Sequence, residues 1–431
     1  MATPSQQQQR IIVIGAGYAG LLFTARLAGK VRARRASVTL VNESPTFTER
    51  LRLHQYATNH NIQWRPIARQ LRGCGVAFVQ GRVTNIDTER REILAEGPEG
   101  CRVLPYDYLV YALGSHTDTL RVPGVAEFAY TLAPDGPLSA AALRERLPGL
   151  AEQHARIVVC GGGPTGIETA AEIASAYPAL RVRLVTQGAL GMFLGAGVAA
   201  YIRRSLTRLG VEITDETPVV AVRADGVRTD DGQIIPADLC VWAGGFVASP
   251  LARAAGLPVN ERDQALIDPY MRVVGHPEIY AIGDAAYPQD EPGVHVRMAA
   301  GNAVILAAHA ADCLSAVLRG KRARPLSFAY LGQAIALGRG NAIGFNNYPD
   351  DHPHRPYFTG RLAFRTREVF VRYLANTARF ERRFPGSFTW PGKRRYAKQL
   401  RHMSRDASMP ATIPQRELVG SGTGASEPRG K

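Results

Sequence analysis

The most regular feature of the chain is an apolar run that closes on small residues and resumes with helical spacing. IIVIGAG, Ile11 to Gly17, predicts a buried strand entering a tight turn, and LLFTARLA beyond it predicts a helix. SVTLVNE, Ser37 to Glu43, predicts the next strand, at the separation of a parallel crossover. The same pattern recurs in ARIVVCGGGPTGIETAAEIA, Ala155 to Ala174, followed by RVRLVTQ, Arg181 to Gln187. YDYLVYALGS (Tyr106 to Ser115) and DLCVWAGG (Asp238 to Gly245) read as strands ending in small-residue turns that return the chain between two modules. IYAIGDAA (Ile279 to Ala286), a helical run from Met298 to Leu318, a strand-like stretch from Leu331 to Phe345 and a helix-like stretch from Arg361 to Phe384 come next.

The expected fold is therefore α/β, with two Rossmann-like dinucleotide-binding domains, the second inserted in the first, plus a carboxyl-terminal α+β region. Residues 1–120 and 246–323 form one expected domain and 121–245 the other. Residues 324–401 form an interface or membrane-docking region. Residues 402–431, rich in Ser, Pro, Gly and Thr without periodicity, form an expected disordered tail.

Composition narrows the class. At 431 residues, 45% hydrophobic and 21% charged, the chain matches a multidomain globular protein. The five cysteines, Cys74, Cys101, Cys160, Cys240 and Cys313, form no CxxC or zinc pair, which points to a reducing compartment and no metal. The polar amino terminus lacks the apolar stretch of a signal peptide, and the uncharged run Met298 to Ala311 is too short to span a bilayer. A cytoplasmic location is expected. The net charge of +15 is concentrated: residues 361–401 hold twelve Lys/Arg against Glu368 and Glu381. That segment suits an anionic partner such as a lipid headgroup, or forms a solvated face.

Gly15, Gly17 and Gly20 sit between strand and helix, where backbone N–H groups and the helix dipole receive a pyrophosphate. Gly161, Gly163 and Gly166 repeat the design. Two such turns most economically mean a flavin at the first and a nicotinamide nucleotide delivering hydride from the second. At the end of the second strand Asn42 and Glu43 are the ribose candidates, with Glu43 preferred. The equivalent place in the second module, Thr186-Gln187, offers neither an acid nor an arginine, leaving NADH and NADPH both open. Glu168, read as a first-turn residue of the second helix, is the catalytic candidate, positioning nicotinamide or relaying a proton.

GAGYAG, YALGS, GGGPTGIE, WAGG and IYAIGDAA, in this order and spacing, resemble the two-dinucleotide-binding-domain flavoproteins of the pyridine nucleotide-disulfide oxidoreductase superfamily. GGGPTGIETAAEI and LGRGNAIG look like type II NADH dehydrogenases and ferroptosis-suppressor quinone reductases. The resemblance implies FAD held by Gly15, Gly17, Tyr18, Ala19, Gly20, Asn42, Glu43, Ala112, Gly114, Asp284 and Ala285. It implies NADH or NADPH at Gly161, Gly163, Pro164, Thr165, Gly166, Glu168 and Gly244. The superfamily's redox cysteines are missing from SPTFTERLRLHQ after Glu43, so the flavin is expected to reduce its acceptor directly. The glutamines that pack on quinone in type II enzymes are replaced by Val296 to Asn302, leaving Arg297 as the acceptor-site candidate.

Arg361, Arg365, Glu368, Arg372, Arg379 and Arg383 share one face at helical period, and Ala363, Phe370, Tyr373, Leu374 and Thr377 are expected opposite, with Trp390 and Lys393-Arg394-Arg395 beyond. The expected activity is electron transfer from NAD(P)H through FAD to a quinone or similar small acceptor. A peripheral contact with the inner face of a membrane through 361–401 is also expected, with a second copy of the chain as a further candidate partner. A ferredoxin-type reductase, a specialised small-molecule flavin oxidoreductase and an apoptosis-inducing-factor-like nucleic-acid binder are the rivals, although no specific nucleic acid is expected.

Overall fold

The computed structural model describes residues 8–31, 36–288, 296–330, 332–347, 351 and 353–390. The expected tail at 402–431, the Lys393-Arg394-Arg395 cluster and the rest of 391–401 lie outside the described residues.

The chain opens with β1 (Gln9–Ile14), α1 (Tyr18–Lys30) and β2 (Ala36–Asn42). β1 and β2 pair in parallel, Ile12 opposite Thr39. A short helix α2 (Leu53–Ala57), β3 (Val76–Gln80) and β4 (Tyr108–Tyr111) follow. Ile11, Val13 and Ile14 are fully buried, as expected of a parallel strand covered on both faces. The chain leaves this module along β5 (Ser115–Thr117).

The second sheet is built from β6 (Ala129–Tyr130), β7 (Arg156–Cys160), β8 (Arg181–Val185), β9 (Glu212–Thr214) and β10 (Leu239–Trp242). Helices α3 (Pro164–Ala176) and α4 (Gly195–Arg208) cross over between its strands. Its order is β6-β10-β7-β8-β9, and every pairing is parallel. β11 (Phe246–Ala248) then returns antiparallel to β5, with Ser115 opposite Ala248. Exit and re-entry thus lie side by side. β12 (His276–Ala281) joins the first sheet in parallel beside β4, giving the central order β12-β4-β1-β2-β3.

α5 (Ala300–Leu318) packs against α1. It is the one helix among the described residues long and apolar enough to cross a bilayer, and 72% of that window is buried inside the protein. The strand-like stretch near 331–345 is a hairpin, because Gly338 and Gly340 take left-handed backbone between β13 (Gln333–Ala336) and β14 (Ala342–Asn347). β15 (Pro353–Thr359) completes that small sheet and leads into α6 (Gly360–Arg383).

α6 divides into three arcs rather than the expected two. Ala363, Arg367, Val371, Leu374, Ala375, Thr377, Ala378 and Glu381 are buried. Leu362, Val369, Phe370, Tyr373 and Phe380 are exposed, as is Phe384 just past the helix end. Arg361, Arg365, Arg372, Arg379 and Arg383 form the third arc, also exposed. The five residues expected opposite the arginines thus divide, Ala363, Leu374 and Thr377 lying buried and Phe370 and Tyr373 exposed. Glu368 also departs from the arginine face, accepting from Gln55 and Arg367. The buried arc is fastened by charge. Arg26 of α1 bonds Glu381 and Asp312 at 2.7 Å each, and Glu381 is fully buried.

Candidate active site

A cleft of about 1750 Å³ runs between the two sheets, and both glycine turns open onto it. Gly15 has φ +98, and a Cβ there would fall 2.4 Å from the Ala112 carbonyl oxygen. A Cβ on Gly20 would fall 1.9 Å from the Gly15 oxygen, so Gly20 seals helix against strand behind the cleft. The second turn repeats these approaches: 2.8 Å from Gly161 to Ala243, and 1.9 Å from Gly166 to the Gly161 oxygen. Gly17 and Gly163 differ in kind. A methyl group on either meets nothing within 4 Å, and both line the cleft as the residues immediately before α1 and α3. Two cradles thus face open space at helix N-termini, which fits one dinucleotide in each.

Tyr18, Ala19, Ala112 and Gly114 also line the first cradle, and Pro164, Thr165 and Gly244 the second. Asn42 accepts a 2.8 Å hydrogen bond from the Ala16 N–H and donates to the Ser44 carbonyl, pinning β2 to the glycine turn. Glu43 stands on the cleft rim with its side chain 71% exposed, 3.9 Å from Arg82. Asp284 faces the cleft and accepts from Ser115 Oγ at 2.8 Å, and burial raises its pKa. Ala285 is fully buried behind the Gly283 turn, outside the residues that line the cleft. Arg50, absent from the expected set, stands on the wall near Asp284, and its guanidinium has no hydrogen-bond or ion-pair partner among the described residues.

Glu168 is the fifth residue of α3, not a member of its first turn, because the helix starts at Pro164. Its Oε1 receives the Ala336 N–H at 2.9 Å and Arg367 at 3.0–3.1 Å. Oε2 is left without a partner among the described residues. Arg367 is 4% exposed and also bonds Glu368 at 2.9 Å. His54 Nε2 lies 3.4 Å from the same guanidinium. Since a guanidinium only donates, this nitrogen must accept, which keeps His54 neutral. Burial foremost, then Arg367, pushes the His54 pKa down to about 3. One turn along α3, buried Glu172 holds His60 at 2.8 Å and Arg339 at 3.3 Å. Two acids four residues apart therefore bind α3 to the carboxyl-terminal hairpin, the segment that follows α2, and α6.

Arg297 lines the cleft but is committed. Its Nε pairs with Asp351, its guanidinium lies 5.5 Å from the centroid of Tyr330, and its carbonyl accepts from Asn302. Gln333, Phe370, Val371 and Leu374 line the same cleft. Gln333 has no side-chain hydrogen bond among the described residues, and its signal in the sequence was lost inside a run read as strand. Folding also brings Cys160 and Cys240 within 3.9 Å, although 80 positions separate them. Their mutual hydrogen bond, then burial, raises the Cys160 pKa well above its ordinary value, so it is a poor nucleophile.

Two sheets with parallel central strands, each presenting a glycine cradle to one shared cleft, define a protein that binds two dinucleotides and moves electrons between them. The chain belongs to the pyridine nucleotide-disulphide oxidoreductase family, which matches residues 9–310. It is an oxidoreductase that works with FAD and NADH or NADPH. It is 29% identical over 349 residues to a demethylphylloquinone reductase of Synechocystis sp., covering 78% of this chain and 86% of that one. It is 32% identical over 295 residues to an NADH dehydrogenase-like protein of Mycobacterium tuberculosis, covering 64% and 72%. A type II NADH:quinone oxidoreductase of Staphylococcus haemolyticus is 27% identical, covering 79% and 90%. Among solved structures, NDH2 from Plasmodium falciparum in complex with NADH superposes with a TM-score of 0.74 at 18% identity, covering 88% of this chain and 97% of that one.

Proposed function

We propose that the chain catalyses NAD(P)H + H⁺ + quinone → NAD(P)⁺ + quinol. The observation that carries this is the single cleft into which both glycine cradles open and which continues to an apolar wall at Phe370, Val371 and Leu374. Bound FAD supplies the capacity to take up a hydride and release two electrons to a second substrate.

Gly17 and the first residues of α1 would present backbone N–H groups to the FAD pyrophosphate, while the Gly15 N–H holds the turn to the Val41 carbonyl at 2.9 Å and the Arg50 guanidinium would supply a counter-charge. Asp284, oriented by Ser115, accepts from the ribityl hydroxyls. Gly161 and Gly163 hold the nicotinamide nucleotide. Arg367 and the Ala336 N–H fix one oxygen of Glu168, so the other meets the nicotinamide in one orientation. Gln333 offers an amide to the acceptor, while Phe370 and Leu374 cover its ring and exclude water. Relatives named as NADH:quinone and demethylphylloquinone reductases support this acceptor class. The exposed apolar arc of α6 continues from Phe370 through Tyr373 and Val369 to Leu362, with arginines along one side. This favours peripheral contact with an anionic membrane, from which a lipophilic acceptor reaches the cleft.

An acceptor screen on the flavin-loaded protein tests the assignment. Anaerobic reduction by NAD(P)H followed by fast reoxidation with short-chain quinones is expected. Turnover confined to a ferredoxin or to disulfides would transfer the chain to one of the rival classes.

A further inference from the structure

One face of α3 is fastened along its length to the carboxyl-terminal hairpin. Glu168, Glu172 and Ser175 follow one another at helical spacing, so their side chains share that face. Each accepts from residues 336–339. The Ala336 N–H reaches Glu168 Oε1 at 2.9 Å, Arg339 Nε reaches Glu172 Oε1 at 3.3 Å, and the Arg339 N–H reaches Ser175 Oγ at 3.2 Å. The turn that carries Arg339 is pressed against the helix, since a Cβ on Gly338 would fall 3.2 Å from Ser175 Oγ and 3.0 Å from Leu209, just past α4. Asn341 ties the same turn to α4, accepting from Tyr201 Oη at 2.8 Å and donating to Ser205 Oγ at 3.2 Å. The Arg339 guanidinium also reaches the first module, donating to the Thr58 carbonyl at 3.3 Å.

We infer that Arg339 is a positioning residue for hydride transfer: by gripping α3 at Glu172 and Ser175 it fixes the roll of the helix, and with it the direction of the Glu168 oxygen that faces the nicotinamide. The inference rests on that role of Glu168. Ala336 and Arg367 hold the other Glu168 oxygen, which is one point of attachment and leaves the helix free to turn about it. Arg339 grips farther along the same face and supplies the second. With side chains a helix is about 10–12 Å across, so a roll of about 10° carries a side-chain tip about 1 Å. A misplacement of that size at a reacting centre can cost on the order of a hundredfold in rate. Removing the Arg339 side chain strands no buried charge, because Glu172 keeps His60 at 2.8 Å and Thr58 Oγ1 at 3.3 Å. Those two partners grip at Glu172 alone, and neither belongs to the hairpin that holds Glu168.

The test is anaerobic stopped-flow reduction of the flavin-loaded protein by NADH, and by NADH deuterated at the transferred position, for wild type, Arg339→Met, Glu168→Gln and the double variant. Arg339→Met should keep its FAD and its melting temperature and bind ADP-ribose as wild type does, yet reduce the flavin about tenfold more slowly, with a deuterium effect at least as large as that of wild type. Arg339→Lys, which keeps a cation on Glu172, should recover most of the rate. Because Arg339 acts through Glu168, the double variant should be no slower than Glu168→Gln alone. An Arg339→Met rate within about twofold of wild type overturns the inference, and so do losses that multiply in the double variant. Should Arg339→Met melt early, Arg339→Gln replaces it and is judged by the same two comparisons. If Glu168→Gln alone reduces at the wild-type rate, it is the role given to Glu168 that fails, and the inference falls with it.

Discussion

Gly17 and Gly20 stand three residues apart and do different work, and substitution should separate them. Gly20→Ala places a methyl group 1.9 Å from the Gly15 oxygen and should lower the melting temperature markedly. Gly17→Val points into open cleft and should leave the apoprotein fold intact while nearly abolishing flavin content. Flavin release and thermal melts on both variants check this. Glu168→Gln keeps an acceptor for the Ala336 N–H but removes the charge facing Arg367, and should slow flavin reduction by about tenfold or more with FAD retained. Equal reduction rates across pH would return Glu168 to a purely structural role. His54 supplies a pH dependence with a definite sign. Its folded pKa of about 3 lies below the ordinary 6.5, so between those values the unfolded chain binds the extra proton. Stability from this group is complete above 6.5 and is lost as pH falls toward 3, by up to about 1.4 kcal/mol per unit. His54→Gln should flatten that slope in denaturant melts between pH 6 and pH 4; an unchanged slope would assign it to other groups.

At the scale of elements, α6 is the informative case. Counting arginines gave a basic face, and the period placed five of them correctly, but Arg367 lies off that arc and is buried against Glu168. A guanidinium out of phase with its neighbours was the visible signal. Its partner acid, 199 positions away, was not visible locally. The Cys160–Cys240 contact was hidden in the same way, being set by the β7–β10 register. Strands and glycine turns, by contrast, are encoded within a few residues and were legible. Because α6 carries Arg367 and Glu381, deleting it would damage the core and test nothing about membranes. Arg367→Met alone should lower the melting temperature by removing the buried guanidinium that pairs with the half-buried Glu168 and Glu368. Surface substitutions are cleaner. Leu362→Ser with Val369→Ser and Phe380→Ser should weaken co-sedimentation with anionic vesicles at every salt concentration. Arg361→Gln with Arg365→Gln and Arg372→Gln should weaken it chiefly at low salt. Neither set touches the cleft, so turnover with a soluble quinone should persist. Wild-type indifference to anionic vesicles would remove the membrane from the account.

At the scale of the molecule, the inserted second module brings the two cradles onto one cleft, and the carboxyl-terminal hairpin and α6 close its far end. The two-module order could be read from two recurring patterns, since each is local. What closes the cleft could not, because Gln333, Arg367 and Phe370 reach it only through packing against α3 and α5. One cleft is proposed to take hydride equivalents from a nicotinamide nucleotide and to deliver electrons to a quinone without a protein thiol. Anaerobic double-mixing stopped flow on the flavin-loaded protein tests it most directly: NADH in the first mix, a short-chain quinone in the second, flavin absorbance followed throughout. Bleaching by NADH and full recovery on quinone are expected, both unaffected by prior alkylation of accessible thiols. Bleaching that recovers only with a disulfide or an iron–sulfur protein, or recovery lost after alkylation, would contradict it.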